Sequence, residues 1–127
     1  MQTTPQAVKV RGIDITTYLV KDVPRAKAFY RDTMGLELTH DYGDQGGEFT
    51  FEDGTTFGLW KMEDGSWSKG GGVMFAVDDI AQATEALKAR GVKIEDYTHD
   101  GPACTMAFGE DSEGNGFILH KRKGGRN

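Results

Sequence analysis

His120 is the residue in this 127-residue chain best suited to acid–base chemistry, because an imidazole with an ordinary pKa near about 6.5 exchanges protons at neutral pH. No acid, nucleophile or oxyanion donor can be placed beside it from the sequence, so it enters as a catalytic candidate without a partner. Cys104 is the single cysteine. It sits in a predicted strand with no base nearby, so it reads as filler and not as a nucleophile, and a chain with one thiol suits a reducing compartment. Asp111-Ser112-Glu113-Gly114-Asn115-Gly116 imitates the opening of a calcium loop. The twelfth position of such a loop needs a bidentate Glu, however, and here it is Arg122, so the segment reads as a turn. Gly70-Gly71-Gly72 precedes a predicted strand and opens no helix. That removes the phosphate-cradle reading and leaves close approach of a backbone or ligand.

Charge narrows the partners. Fifteen Lys and Arg against 20 Asp and Glu give a net charge of −5, which disfavours a polyphosphate-binding surface and makes nucleic acid an unfavourable partner. The concentrated positive charge, Lys121, Arg122, Lys123 and Arg126, lies at the glycine-bearing C-terminal end, a solvated end whose basic tail is assigned to 122–127. The first residues, MQTTPQAVKV, have no charged and apolar leader pattern. No window approaches the roughly 18 apolar residues that span a bilayer. A cytoplasmic protein without a membrane partner is the expectation, organised as a single domain over 1–127.

The elements that must position these residues come in two copies. A strand over Gly12 to Asp22 leads to an N-cap at Asp22, with Pro24 in the first turn and Val23, Ala26, Phe29, Tyr30 and Thr33 at helical spacing before Gly35. Three strands follow, Leu36 to Tyr42, Glu48 to Glu52 and Thr56 to Met62. The order then repeats: a strand over Val73 to Val77, a helix capped by Asp79 with Gln82 and ending at Gly91, and strands over Val92 to Tyr97, Cys104 to Gly109 and Gly116 to Lys121. Leu19-Val20-Lys21-Asp22-Val23 aligns with Ala76-Val77-Asp78-Asp79-Ile80, and Gly54 to Lys61 aligns with Gly114 to Lys121. The fold class is therefore α+β, two tandem βαβββ modules over 10–62 and 70–121 whose curved sheets form a cleft.

Strand parity then separates two faces. Val20, Phe57, Leu59, Phe75, Val77, Phe117 and Leu119 belong under the helices. The opposite parity gives Ile15, Thr17 and Leu19, then Gly58, Trp60 and Met62, then Gly72, Met74 and Ala76, and last Gly116, Ile118 and His120. From this mainly apolar face we take Ile15, Thr17, Gly58, Trp60, Met62, Gly72, Met74, Ile118 and His120 as candidate ligand-binding residues. An indole, two thioethers and an imidazole among aliphatic groups suit a flat organic molecule better than phosphate.

The paired modules, Val20 to Tyr30 with Met34-Gly35-Leu36-Glu37-Leu38, the Phe75 to Asp79 stretch and Asp111 to Leu119 together resemble the vicinal oxygen chelate superfamily. That superfamily includes glyoxalase I, extradiol dioxygenases and the fosfomycin- and bleomycin-resistance proteins. The resemblance covers residues 10 to 121. It implies the glyoxalase/bleomycin-resistance/dioxygenase fold, a homodimer, and metal ligands at positions that fall here on Ile15, Gly58, Gly72 and Ile118. None of these side chains can donate to a metal, so neither a metal nor a cofactor is expected. The implied function is binding of a small organic molecule in an apolar cleft, as in the bleomycin-resistance branch. The alternative is a lyase, isomerase or dioxygenase that is metal-free or recruits Glu48, His99 and His120.

Overall fold

The computed structural model describes residues 8–95 and 99–124. The Asp22 carboxylate accepts the Arg25 N–H at 3.1 Å and so starts α1, Val23–Ala28, with a proline in its first turn. The helix then widens into one π-helical turn, Phe29–Thr33, in which the Met34 N–H reaches back to the Phe29 carbonyl at 2.9 Å. That widening is absent from the sequence pattern. Gly35, at φ +79°, ends the run. In the second copy the Asp79 carboxylate accepts the Gln82 N–H at 3.0 Å and starts α2, Ile80–Ala89.

Eight strands complete the two copies: β1 Thr16–Leu19, β2 His40–Asp41, β3 Gly46–Thr50, β4 Thr56–Trp60, β5 Val73–Ala76, β6 His99–Asp100, β7 Cys104–Glu110 and β8 Gly116–Arg122. They form two four-stranded sheets of identical order, β1-β4-β3-β2 and β5-β8-β7-β6. In each, the first strand pairs in parallel with the last and the remaining pairs are antiparallel. Among the described residues no helix is long and apolar enough to cross a membrane.

Three expected strands depart most from the residue alternation. Residues 8–15 lie outside any strand, with Val8, Val10 and Ile13 more than 70 % exposed, so β1 keeps only its paired part. The stretch from Leu36 shrinks to the two residues of β2, because the Thr39 hydroxyl takes the Thr50 N–H at 3.0 Å and interrupts the ladder. Leu36 and Leu38 pack against the core instead. Of Val92 to Tyr97, Ile94 makes only an isolated bridge to Gly109, residues 96–98 lie outside the described residues, and the edge strand of this sheet, β6, falls beyond the expected range at His99–Asp100.

The parity of the sheets holds. Phe57, Leu59, Phe117 and Leu119 are each at most 2 % exposed, and both helices lie on these faces. The helix-side faces of the two modules share one core. Tyr30 of the first copy packs on Phe57 at 4.9 Å and on Phe75 of the second at 6.2 Å, Phe57 meets Phe75 edge-on at 5.3 Å, and Phe29 reaches Phe117 at 6.3 Å. The opposite faces of the two sheets therefore look outward.

Polar groups join the modules where the calcium-like segment lies. Asp111 is buried, and its carboxylate accepts the Tyr30 hydroxyl at 2.7 Å, the N–H groups of Glu113 and Asn115 at 2.8 and 2.9 Å and the Asn115 amide at 3.2 Å. A buried anion is tolerable only with such donors. Asn115, fully buried, accepts the Gly70 N–H at 2.7 Å and donates to the Leu19 carbonyl at 3.3 Å. The Tyr18 hydroxyl donates to the Gly116 carbonyl at 2.6 Å and accepts the Val73 N–H at 3.0 Å. Burial, reinforced by the Asp111 charge, holds the Tyr30 phenol well above its ordinary pKa, so it stays a donor. Burial opposes ionisation of Glu113. The Arg25 guanidinium at 2.6 Å, the Asp22 N–H and the Ser112 hydroxyl outweigh it and lower the carboxyl below its ordinary 4.5.

Tyr30→Phe removes one hydrogen bond to a buried carboxylate and is expected to cost about 1.5–3 kcal/mol in urea unfolding with an unchanged circular dichroism spectrum. Because the folded-state pKa of Glu113 is depressed, its stabilisation is complete above pH 4.5 and is lost as pH falls through the lower folded value. Melting temperatures recorded from pH 7 to pH 3 should therefore fall less steeply for Glu113→Gln than for the wild type, and the two curves should converge at the acid end.

Candidate ligand site

On the outward face of the first sheet, strand register sets side chains in rows. Leu19, Trp60 and Gly46 stand side by side, and the row reaches Tyr42, whose N–H bonds the Gly46 carbonyl at 3.0 Å. Gly46 cannot carry a side chain, since a Cβ there would overlap the Leu59 carbonyl oxygen. The gap lets the half-exposed Tyr42 ring meet the half-buried Trp60 ring edge to face, at 6.2 Å and 69°. The next row is Thr17, Gly58, Glu48 and His40. The Glu48 carboxylate lies 3.3 Å from the Tyr42 hydroxyl and 3.6 Å from His40 Nδ1. Desolvation, together with the Glu48 charge, raises the Tyr42 phenol above its ordinary pKa. Beyond Trp60, a surface depression of about 400 Å³ is lined by Gln45, Trp60, Met62, Glu63 and Asp64.

Ile15, Thr17 and Gly58 come together directly. Ile15 Cδ1 stands 2.7 Å, and Thr17 Oγ1 3.3 Å, from where a Gly58 Cβ would be, so the isoleucine occupies the space over the glycine. On the second sheet Met74, Ile118 and Phe108 form one row, and Ala76, His120, Met106 and His99 the next. Met74 is half exposed and Ile118 buried. Gly72, at φ +93°, turns the chain into β5. His99 places its ring edge on Phe108 at 4.9 Å and Nε2 3.0 Å from Glu95. Cys104 is half buried, opposite Arg122.

The candidates thus form two groups on separate sheets of one chain. Trp60 and His120 hold equivalent places, opposite Leu19 and Ala76, as the internal repeat requires. A separate cleft of about 690 Å³ runs between β5 and the β3–β4 turn, with Met34, Leu36, Phe51 and Phe75 in its lining, and of the candidates only Met74 borders it. Tyr42, Phe108 and Met106 escaped the sequence reading, because the repeat alignment covers only the first and last strands of each module and these residues lie on or beside the middle ones.

The metal ligands of the resemblance fall on Ile15, Gly58, Gly72 and Ile118, an aliphatic contact in one module and a glycine and a buried isoleucine in the other. Those side chains do not fit a metal ion. Glu48 stands on the first sheet, and His99 and His120 on the second, so the alternative trio does not converge within one chain. Among the described residues no group of three His, Cys, Asp or Glu side chains is placed to hold a metal ion.

Two βαβββ modules on a common core, each with an outward face, define a scaffold class that supports several chemistries. The family model of the Glyoxalase/Bleomycin resistance protein/Dioxygenase superfamily matches residues 12–119, and the chain belongs to that superfamily. A curated relative, "Probable lactoylglutathione lyase, chloroplastic" from Arabidopsis thaliana, is 30% identical over 121 residues, covering 83% of this chain. The chain spans only 34% of that relative's length. Among solved structures, TnmS3, an antibiotic binding protein from Streptomyces sp. CB03234, superposes with a TM-score of 0.78 at 22% identity, covering 94% of this chain and all of that one. Lactoylglutathione lyase from Agrobacterium tumefaciens gives 0.73 at 21% identity, covering 88% and 94%. At these identities the likeness establishes the fold.

Proposed function

We propose that this protein binds a small organic molecule on the faces that carry Trp60 and Ile118, and that it does so without the superfamily's metal. The observation that carries the reading is the packing of Ile15 onto Gly58, where metal donors would be needed: apolar contact area takes the place of Lewis-acid chemistry. The half-buried Trp60 beside Tyr42 offers an aromatic surface for a flat ligand. The likeness to an antibiotic binding protein supports the same reading. A lone thiol, Cys104, suits a reducing cytoplasm as its setting.

The lactoylglutathione lyase relative favours a second reading, an enzyme, with His120 as its candidate general base. Metal content separates the two. Protein purified without chelator or affinity tag should retain no stoichiometric ion after dialysis, and one ion per chain would overturn the binder reading. Ligand contact is read by tryptophan emission. Trp67 must first be replaced, because its indole N–H is held by the Leu19 carbonyl at 3.0 Å in the module junction. In a Trp67→Phe background, aromatic probes such as 2-naphthol should quench Trp60. Trp60→Ala, followed by calorimetry, should weaken binding about 2- to 10-fold, the worth of one good aromatic pair. Unchanged affinity with native circular dichroism would show that Trp60 only fills space.

The binding faces also support a homodimer. Ile15, Met62 and Met74 are each at least 38 % exposed on faces that look away from the shared core, so the two faces of one chain do not enclose a ligand between them. A second copy brings a first-sheet face against a second-sheet face and buries these residues. Light scattering at micromolar protein should give twice the chain mass, and Met74→Glu should shift it toward monomer. A concentration-independent monomer overturns this part.

A further inference from the structure

We propose that the first-sheet face selects ligands bearing a positive charge, with an organic ammonium group seated against Trp60 and Tyr42 and Glu48 as its counter-charge. The proposal rests on the reading that this face binds the ligand, and adds the ligand's chemical class. Three observations carry it.

The first is geometry. Gly46 stands between Trp60 and Tyr42, and Gly58 stands beside Glu48 in the adjoining row. Ile15 covers Gly58, so the open part of the face lies at Gly46, where the two rings meet with the Glu48 carboxylate beside the Tyr42 hydroxyl. An aromatic corner of this kind attracts cations through the ring quadrupoles.

The second is the state of the carboxylate. The Glu48 side chain is 27% exposed, and among the described residues its polar neighbours are a phenol at 3.3 Å and the His40 ring at 3.6 Å. Neither is a permanent cation. Lys27, by contrast, is held at 2.6 Å by Asp41, and Arg25 by Glu113 at 2.6 Å, so this fold pairs partly buried charges elsewhere.

The third is the sign of the surroundings. The paired rows of this face, from Leu19 to Tyr42 and from Thr17 to His40, hold no Lys or Arg. The depression beside Trp60 adds Glu63 and Asp64, although Asp64 also accepts the Ser66 N–H at 2.9 Å. Strand alternation places Lys61 on the other face, in a hollow with Lys21 and Asp44. The second sheet differs: Met74, Phe108 and Met106 stand there with the imidazoles of His120 and His99, and the carboxylate beside Phe108, Glu95, already lies 3.0 Å from His99 Nε2. A ligand with a cationic head and an apolar body matches the pair.

The test compares choline with its uncharged isostere 3,3-dimethylbutan-1-ol, each titrated into the Trp67→Phe protein with Trp60 emission as the readout. Choline should bind at least about 5-fold more tightly, with the preference reduced in 0.5 M NaCl. Glu48→Gln keeps the shape and the hydrogen bond to Tyr42, and should bring the ratio to within about twofold of unity while leaving the alcohol's affinity unchanged. Equal affinities in the parent protein, or a ratio that survives Glu48→Gln in a variant with native circular dichroism, would overturn the charge selection and leave the binder reading intact. If neither these probes nor 2-naphthol binds, the binder reading itself fails and takes the charge selection with it.

Discussion

The carboxylate of Asp111 is the constraint on which the arrangement of the modules depends. A buried anion needs donors in fixed directions, and these come from both halves of the chain: the Tyr30 hydroxyl from the first helix, and the Glu113 and Asn115 N–H groups from the turn before β8. Asn115 then passes the constraint on, holding the Gly70 N–H at the entry to the second module and the Leu19 carbonyl at the end of β1. Apolar contact between Tyr30, Phe57 and Phe75 supplies area but little direction. The polar junction supplies direction, because a hydrogen bond weakens steeply when misaligned.

With the helix-side faces locked on a common core, the outward faces are free to diverge chemically. They have done so while the backbone kept its repeat. Register pairs Leu19 with Trp60 in one sheet and Ala76 with His120 in the other, yet one face collects an indole, a phenol, an imidazole and a carboxylate, and the other two thioethers, two imidazoles, a phenyl ring and aliphatic groups. Two glycines shape the first face. Gly46 is required by the nearby Leu59 carbonyl, and Gly58 leaves the space that Ile15 fills. Close approach of backbone at Gly46 and of the Ile15 side chain at Gly58 shapes that face.

The chemistry-bearing motifs of the sequence changed meaning in the fold. The calcium-like segment is a turn, as its missing Glu requires, and its Asp111 and Asn115 carry the module junction. Gly70 lies against the Tyr18 ring, with a Cβ position only 2.9 Å from it, so close approach explains that glycine, whereas Gly71 and Gly72 stand in open space. Glu48 was legible only as a stray carboxylate, and cross-strand register makes it the neighbour of Tyr42 and His40.

The sequence by itself determined the duplicated βαβββ order, both N-caps, and which parity of the first and last strands of each module lies under the helices. These are local matters: a capping carboxylate acts within three residues, and alternation along a strand is set by the chain's own geometry. Register between strands, the shrinkage of the strand after Leu36 to two residues and the π-helical turn at Phe29 depend on partners far along the chain. The Thr39 hydroxyl interrupts a ladder only because Thr50 lies across from it. Only the tertiary structure decided that the two candidate faces point away from each other. That outcome follows from where apolar area and the Asp111 hydrogen bonds are jointly satisfied, and no window of sequence contains both.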